Sequence, residues 1–274
     1  MANKKLPRKK VKALVLRSAG TNCDQETAFA FQRFGVSVEL AHINLLVKGG
    51  IKLADYHILA IPGGFTYGDD IESGRVLANE LRVYLADSLR DFIRRRKLII
   101  GICNGFQILV KAGILPGADS VVAQDKSFIQ TATLTNNNSG KFEDRWVHLR
   151  VSGRSVWTEG LPGQVFFPVA HAEGKFIPIN DRVARELKQN QQIVFRYCSP
   201  DGINPVYPQD PNGSYEHIAG ITDATGHVLG LMPHPERHFL FTQHPFWTRL
   251  DKKSEFGDGA KIFENGVNYA RVNI

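Results

Sequence analysis

In the N-terminal half of the chain, short apolar runs closed by glycine-bearing turns alternate with stretches in which apolar residues recur every three or four positions. The first pattern suits strands buried on both faces and the second suits amphipathic helices, so the alternation predicts βαβ units and a parallel sheet. Residues 13–16 read as the first strand. After the turn Ser18-Ala19-Gly20-Thr21-Asn22 comes a helix, capped by Thr21, Asn22 or Asp24, with Ala28, Phe31 and Phe34 spaced along it and Gly35 as its stop. Residues 36–43 and 57–61 read as the next strands, and the latter ends in Pro62-Gly63-Gly64, a glycine-rich loop that runs on to Asp69. From Arg75 to Arg96 the residues Leu77, Leu81, Leu85, Leu89 and Phe92 keep helical spacing, as one long helix or two in succession. In an open sheet of this kind the ligand site lies at the carboxyl edge of the strands.

Beyond Gly113 the pattern changes. Leu115-Pro116-Gly117 breaks the helix, and strand-like runs follow at 131–134, 146–151 and 165–169, separated by polar loops such as 136–140. A helix over 181–188 and a strand over 193–198 come next. The stretch 199–214, with four prolines and two glycines, predicts a long surface loop. Residues 217–222 and 227–232 predict a hairpin around Asp223-Ala224-Thr225-Gly226, and a helix over 260–272 finishes the chain. There is no internal repeat and no linker long enough to mark a boundary. The expectation is an α/β fold with a central, mostly parallel sheet and flanking helices, one domain over 12–274 behind a disordered basic tail, 1–11.

The segment LIIGICNGFQIL, residues 98–109, reads as strand, sharp turn, helix. A residue at such a turn is forced into a strained conformation with its side chain exposed, and glycines two positions to either side remove clashing Cβ atoms. Cys103 occupies the apex. The helix beginning there directs free N–H groups and its positive dipole end at the sulfur, which suits a thiolate nucleophile. A buried structural cysteine is the ordinary alternative, but it leaves Gly101 and Gly105 unexplained.

A nucleophile needs a base. In LMPHPER, residues 231–237, Pro235 disfavours helical geometry at His234, so His234 to Glu236 is expected to be extended, with the two side chains on one side. Glu236 would then orient the His234 imidazole, completing a Cys-His-Glu triad. A surface ion pair is the common alternative for such residues. His234 and His238 also have the four-residue spacing of helical zinc ligands, but the prolines exclude that helix, and no metal site is expected. For the oxyanion of an acyl transfer, the N–H of Asn104 is one candidate donor, and Gly63 or Gly64 supplies the second. The glycine-rich loop lacks the Gly-Lys-Ser/Thr ending of a phosphate-binding loop, and no ATP site is recognisable.

Composition adds limits. The 274 residues carry a net charge of +7, but Lys4, Lys5, Arg8, Lys9, Lys10 and Lys12 account for six of those charges. The body is nearly neutral, so the basic balance does not argue for nucleic acid. No apolar run approaches the roughly 18–20 residues of a membrane span, and the basic start lacks the apolar core of a signal peptide; a cytoplasmic protein is expected. Cys23, Cys103 and Cys198 are odd in number and far apart, which implies neither a disulfide framework nor a zinc ribbon. Asn137-Asn138-Ser139 and Asn212-Gly213-Ser214 fit glycosylation acceptors only formally.

Taken together, GICNGFQIL (101–109), PGGFTYGD (62–69), HAEGKF (171–176) and MPHPER (232–237) resemble the class-I glutamine amidotransferases. GTNCDQETAFAF (20–31) and PQDPNGSYEHIAGI (208–221) narrow the resemblance to those glutaminase subunits whose synthetase partner makes formylglycinamidine ribonucleotide in purine biosynthesis. The resemblance covers the chain from Lys12 to the last helix. It implies a flavodoxin-like domain that hydrolyses L-glutamine to glutamate and ammonia. Cys103 would form the glutamyl thioester, His234 would serve as acid and base, and Glu236 would orient it. Gly64 and Asn104 would hold the oxyanion, while Gly63, Gln107, His171, Glu173 and Gly174 would bind substrate. It further implies a synthetase subunit and a small bridging subunit as partners, no cofactor in this chain, and ATP and magnesium on the synthetase. A different synthetase, or a non-catalytic glutamine sensor on the same scaffold, are the alternatives; a sensor would usually have lost His234 or Glu236. The sequence departs from the family at Asp70-Ile71-Glu72-Ser73, where an aromatic, Leu, Arg and a small residue are common. That exchange puts an anion in place of a cation. The segment 118–130 is also longer than the resemblance leads one to expect, and the basic tail is additional.

Overall fold

The structure, a computed structural model, describes residues 10–117, 124, 127–251 and 254–274. Most of the basic tail, and most of the first half of segment 118–130, lie outside the described residues.

The chain runs β1 (Lys12–Arg17), α1 (Asp24–Gln32), β2 (Ser37–His42), α2 (Ile43–Val47), β3 (Ile58–Ile61), α3 (Arg75–Tyr84), α4 (Ala86–Arg94), β4 (Leu98–Ile102) and α5 (Asn104–Lys111). It continues with β5 (Ala132–Thr135), β6 (Glu143–Val151), β7 (Gln164–His171), β8 (Lys175–Pro178), α6 (Asp181–Gln189), β9 (Ile193–Cys198), β10 (Ile218–Thr222), β11 (Val228–Leu231) and α7 (Ala260–Asn273). The long helical stretch is therefore two helices, and the expected C-terminal hairpin is β10 and β11, paired antiparallel.

Nine strands form one sheet in the order β2-β1-β3-β4-β11-β10-β9-β6-β7. The pairs from β2 to β11 are parallel, and those from β11 onward are antiparallel. Only β10 and β6 run against the common direction, so the sheet is mostly parallel by strand direction. Residues of β3, β4 and β11 are buried throughout, as strands covered on both faces must be. In β7 buried and half-buried residues alternate instead, the mark of a strand with one face on the core. Beside the sheet, β5 and β8 make a separate antiparallel pair. No helix among the described residues is long and apolar enough to cross a membrane.

This order positions the site. β1 is flanked by β2 on one side and β3 on the other, so the connections leave β1 in opposite directions and open a crevice at the carboxyl edge. The loops after β1 and β3 face each other across it: Asn22 N–H and Cys23 N–H donate to Gly63 O at 3.3 and 3.2 Å, and Phe65 N–H donates to Gly20 O at 2.9 Å. The neighbouring strands β4 and β11 end at the same edge, in Cys103 and in the segment that carries His234.

Candidate active site

Cys103 stands between β4 and α5 with φ +52° and ψ −106°. A non-glycine residue in that region is strained, and the surrounding structure must hold it there. Cys103 N–H donates to Leu231 O at 2.8 Å, while Phe106 N–H and Gln107 N–H both donate to Cys103 O. The two glycines are sterically obligatory. A Cβ on Gly101 would lie 2.6 Å from Gly105 O, and one on Gly105 only 1.8 Å from Ile61 O. The elbow geometry expected from the sequence is thus present, with the helix pressed against β3. The side chain is nevertheless buried rather than exposed, and its thiol faces Ala170 O at 3.6 Å. The end of β7 is drawn over the elbow, and His234 N–H donates to Pro168 O of that strand at 2.8 Å.

The segment after β11 departs from expectation. Pro235–His238 is a turn of 3-10 helix with Pro235 at its start, where a proline's missing N–H and fixed φ are no handicap. His234 precedes it with φ −104° and ψ 89°. The predicted pairing is made from this turn rather than from a strand: His234 Nδ1 lies 2.6 Å from Glu236 Oε1, and both side chains are buried. Burial disfavours a charged imidazole. Glu236 first, and then Cys103 and Cys23, favour it, and the balance holds the His234 pKa well above the ordinary histidine value. The arrangement therefore favours a protonated His234 imidazole next to the Cys103 side chain. Among the described residues, His234 Nε2 and Glu236 Oε2 have no hydrogen-bond partner.

Gly63 lies under this pair. A Cβ there would sit 2.8 Å from His234 Cε1, 2.9 Å from Cys23 Sγ and 3.5 Å from Cys103 Cβ, so three side chains converge on the space that glycine leaves open. Gly64 has φ +149°, and a Cβ on it would lie 2.6 Å from Gly20 O. It forms an isolated bridge with Thr21, but the bonds of that bridge are carried by Asn22 and Phe65. Asn104 stands in the first turn of α5, where backbone N–H groups lack a partner within the helix.

Residues 10–270 match the family model described as a CobB/CobQ-like glutamine amidotransferase domain. The chain belongs to the glutamine amidotransferase family. It is 48% identical over 265 residues to the phosphoribosylformylglycinamidine synthase subunit PurQ of Dehalococcoides mccartyi, covering 96% of this chain and 98% of that one. To the protein of the same name in Methanococcus maripaludis it is 41% identical over 272 residues, covering 94% and 97%. Among solved structures it resembles a chain of PurLQS from Thermotoga maritima, with a TM-score of 0.71, 32% identity and coverage of 95% and 99%.

In this amidotransferase the remaining predicted residues form a scaffold around the elbow. Gln107 Nε2 donates to Glu173 O at 2.6 Å, and Gln107 Oε1 accepts from Asn104 Nδ2 at 2.9 Å. His171 is buried, with Nδ1 3.1 Å from Asn137 Oδ1. Burial, reinforced by the charge on His234, pushes its pKa down to about 3, so it is a neutral imidazole. Gly174 packs against that ring: a Cβ would lie 2.3 Å from His171 Cε1. Gly174 N–H donates to Asn137 Oδ1 and Gly174 O accepts from Asn212 Nδ2, at 3.0 and 2.9 Å.

Sequence reasoning missed several of these partners. Cys23 sits 3.9 Å from His234 Nδ1 and accepts from Arg237 Nη2 at 3.0 Å, and burial raises its pKa. Asn137 and Asn212, legible only as formal glycosylation acceptors, are buried clamps. Asn137 also donates through Nδ2 to His171 O and Lys141 O. The stretch 199–214 is accordingly not all surface loop. Asp210, Asn212 and Ser214 are buried, and Ser214 Oγ accepts from Phe176 N–H at 2.9 Å. Donor atoms of Cys23, His234 and Glu236 lie within 4.8 Å of one another, a spacing a metal could use. Here Glu236 already pairs with His234, and the Arg237 guanidinium faces the Cys23 sulfur, so the donor set suits a cation poorly.

Proposed function

We propose that Cys103, His234 and Glu236 hydrolyse the side-chain amide of L-glutamine, and that the chain is the glutaminase subunit of phosphoribosylformylglycinamidine synthase. The observation that carries this reading is the convergence of the strained Cys103 and the Glu236-bound imidazole of His234 over Gly63. The Cys103 thiolate attacks the carboxamide carbon, and the oxygen takes up the electron pair between the N–H groups of Gly64 and Asn104. The His234 imidazolium gives its proton to the departing nitrogen, which leaves as ammonia, and a glutamyl thioester remains on Cys103. Neutral His234 then takes a proton from water. The hydroxide adds to the thioester, and glutamate leaves as the sulfur regains its electron pair. Glu236 stabilises the imidazolium throughout.

The ammonia passes to a synthetase subunit, in a complex that includes a small bridging subunit and is of the kind solved as PurLQS. ATP and magnesium belong to that synthetase; no ATP-binding motif is recognisable in this chain. The complete triad favours an enzyme over a glutamine sensor. An electrophilic glutamine analogue is expected to label Cys103 in the assembled complex, read by mass spectrometry of the digested chain. Labelling confined to Cys23 or Cys198, or none, refutes the assignment. Complementation of a purine-requiring strain separates this synthetase from another.

A further inference from the structure

A closed ring of side chains surrounds the first turns of α5. Asn104 Nδ2 donates to Asp69 Oδ1 at 3.3 Å, and Asp69 Oδ2 accepts from Ser73 Oγ at 2.9 Å. Ser73 N–H donates to Glu173 Oε2 at 3.2 Å. Glu173 O accepts from Gln107 Nε2, and Gln107 Oε1 accepts from Asn104 Nδ2, which closes the ring. Asn104 Oδ1 accepts in addition from Thr66 N–H at 3.3 Å. Three pieces of chain are thereby tied together: the elbow helix, the loop that follows Gly64, and the loop that carries Glu173.

Beside the ring lies Lys111, whose side chain is 1% exposed. Its Nζ makes no hydrogen bond among the described residues; it is held by charge alone, 3.3 Å from Glu72 Oε2 and 3.6 Å from Glu173 Oε2. The anion that replaces the family's cation in loop 70–73 is thus neutralised inside the chain. The loop needs such restraint, because Tyr67 and Asp69 have φ +55° and +54°, a conformation that costs energy unless neighbours enforce it.

We propose that Lys111, Asp69 and Ser73 are positioning residues of the glutamine site, which lock the oxyanion loop and the Glu173 loop onto the elbow helix, with the Lys111 charge keeping the ring closed. The inference rests on the glutaminase reading only for its effect on turnover. Without the ammonium, the Glu72 and Glu173 carboxylates that share it lose their common counter-charge and repel each other, and the ring opens where Glu173 accepts from Ser73 N–H.

The test is Lys111→Met, which keeps the buried volume and removes the charge, with Lys111→Arg restoring it and Ser73→Ala removing the Oγ that donates to Asp69 while leaving the Ser73 N–H on Glu173. In hydrogen exchange of the full chain, amides of residues 66–74 are expected to exchange at least tenfold faster in Lys111→Met and Ser73→Ala, and those of residues 171–174 at least tenfold faster in Lys111→Met, with β4 and α1 unchanged. In the assembled complex the same variants are expected to raise KM for glutamine roughly tenfold or more while iodoacetamide still alkylates Cys103 at nearly the wild-type rate, and Lys111→Arg to return KM toward wild type. Unchanged exchange in both loops, or a change confined to α5, overturns the proposal. So does a loss of kcat at constant KM that follows melting temperature. If the wild-type complex fails to hydrolyse glutamine, the functional reading falls while the exchange comparison still decides the ring. If Lys111→Met fails to fold, Lys111→Gln decides the part played by the charge and Ser73→Ala the link to Asp69, by the same two readouts.

Discussion

Gly63→Ala isolates the packing at the centre of the site. Gly63 is outside the left-handed region, so alanine meets no backbone penalty there, and the added methyl has only space to contend with. The added Cβ would lie only 2.8 Å from His234 Cε1. An ordinary carbon–carbon contact needs about 3.5 Å, so the buried imidazole must retreat by roughly 0.7 Å. Misplacement of a reacting group by about 1 Å costs on the order of 10²-fold in rate, which puts the expected fall in kcat between about tenfold and a hundredfold. Overpacking a core costs about 1–3 kcal/mol, so melting temperature should fall by roughly 2–12 °C. The assay is glutamate release by the assembled complex, with calorimetry of the chain alone. Gly163→Ala is the control, because a Cβ there meets nothing within 4 Å. A Gly63→Ala complex with kcat within twofold of wild type refutes the claim that Gly63 sets the imidazole's position.

Two further outcomes follow from the electrostatics. Glu236→Gln removes the strongest favourable charge on His234, so the imidazole pKa falls and the alkaline limb of the kcat profile moves to lower pH; kcat itself should drop by about 10²–10⁴, and an unshifted limb contradicts the role given to Glu236. His171 titrates at about 3 in the folded chain against an ordinary 6.5, so its contribution to stability is fully present above pH 6.5 and is lost as pH falls toward 3. Between pH 7 and pH 5 that loss is about 2 kcal/mol, and urea unfolding of His171→Gln should lack this part of the slope; equal slopes in variant and wild type show that His171 is not held neutral.

The elbow and the order of elements that leads to it are legible in the amino-acid sequence. Gly101, Cys103 and Gly105 carry a local steric requirement, readable because the clash they avoid arises within a few residues of the chain and its neighbouring strand. The His234–Glu236 pair was legible for a similar reason, although the geometry that delivers it is a 3-10 turn rather than a strand. Proline excludes a helix interior but is at home in a first turn, and spacing alone does not separate that turn from an extended segment.

Which polar residues go inside depends on long-range packing. Asn137, Asn212, Lys111 and Cys23 belong to residue types without a local pattern of burial, and their partners lie far along the chain: His171 for Asn137, Gly174 for Asn212, Glu173 for Lys111, His234 for Cys23. Burying such a group is unfavourable until a partner is in place, and the fold supplies that partner by bringing separate loops to one sheet edge. Cys103 is fixed as a nucleophile by its neighbours in sequence; what surrounds it, from the imidazole above Gly63 to the ring around α5, is fixed by strand order.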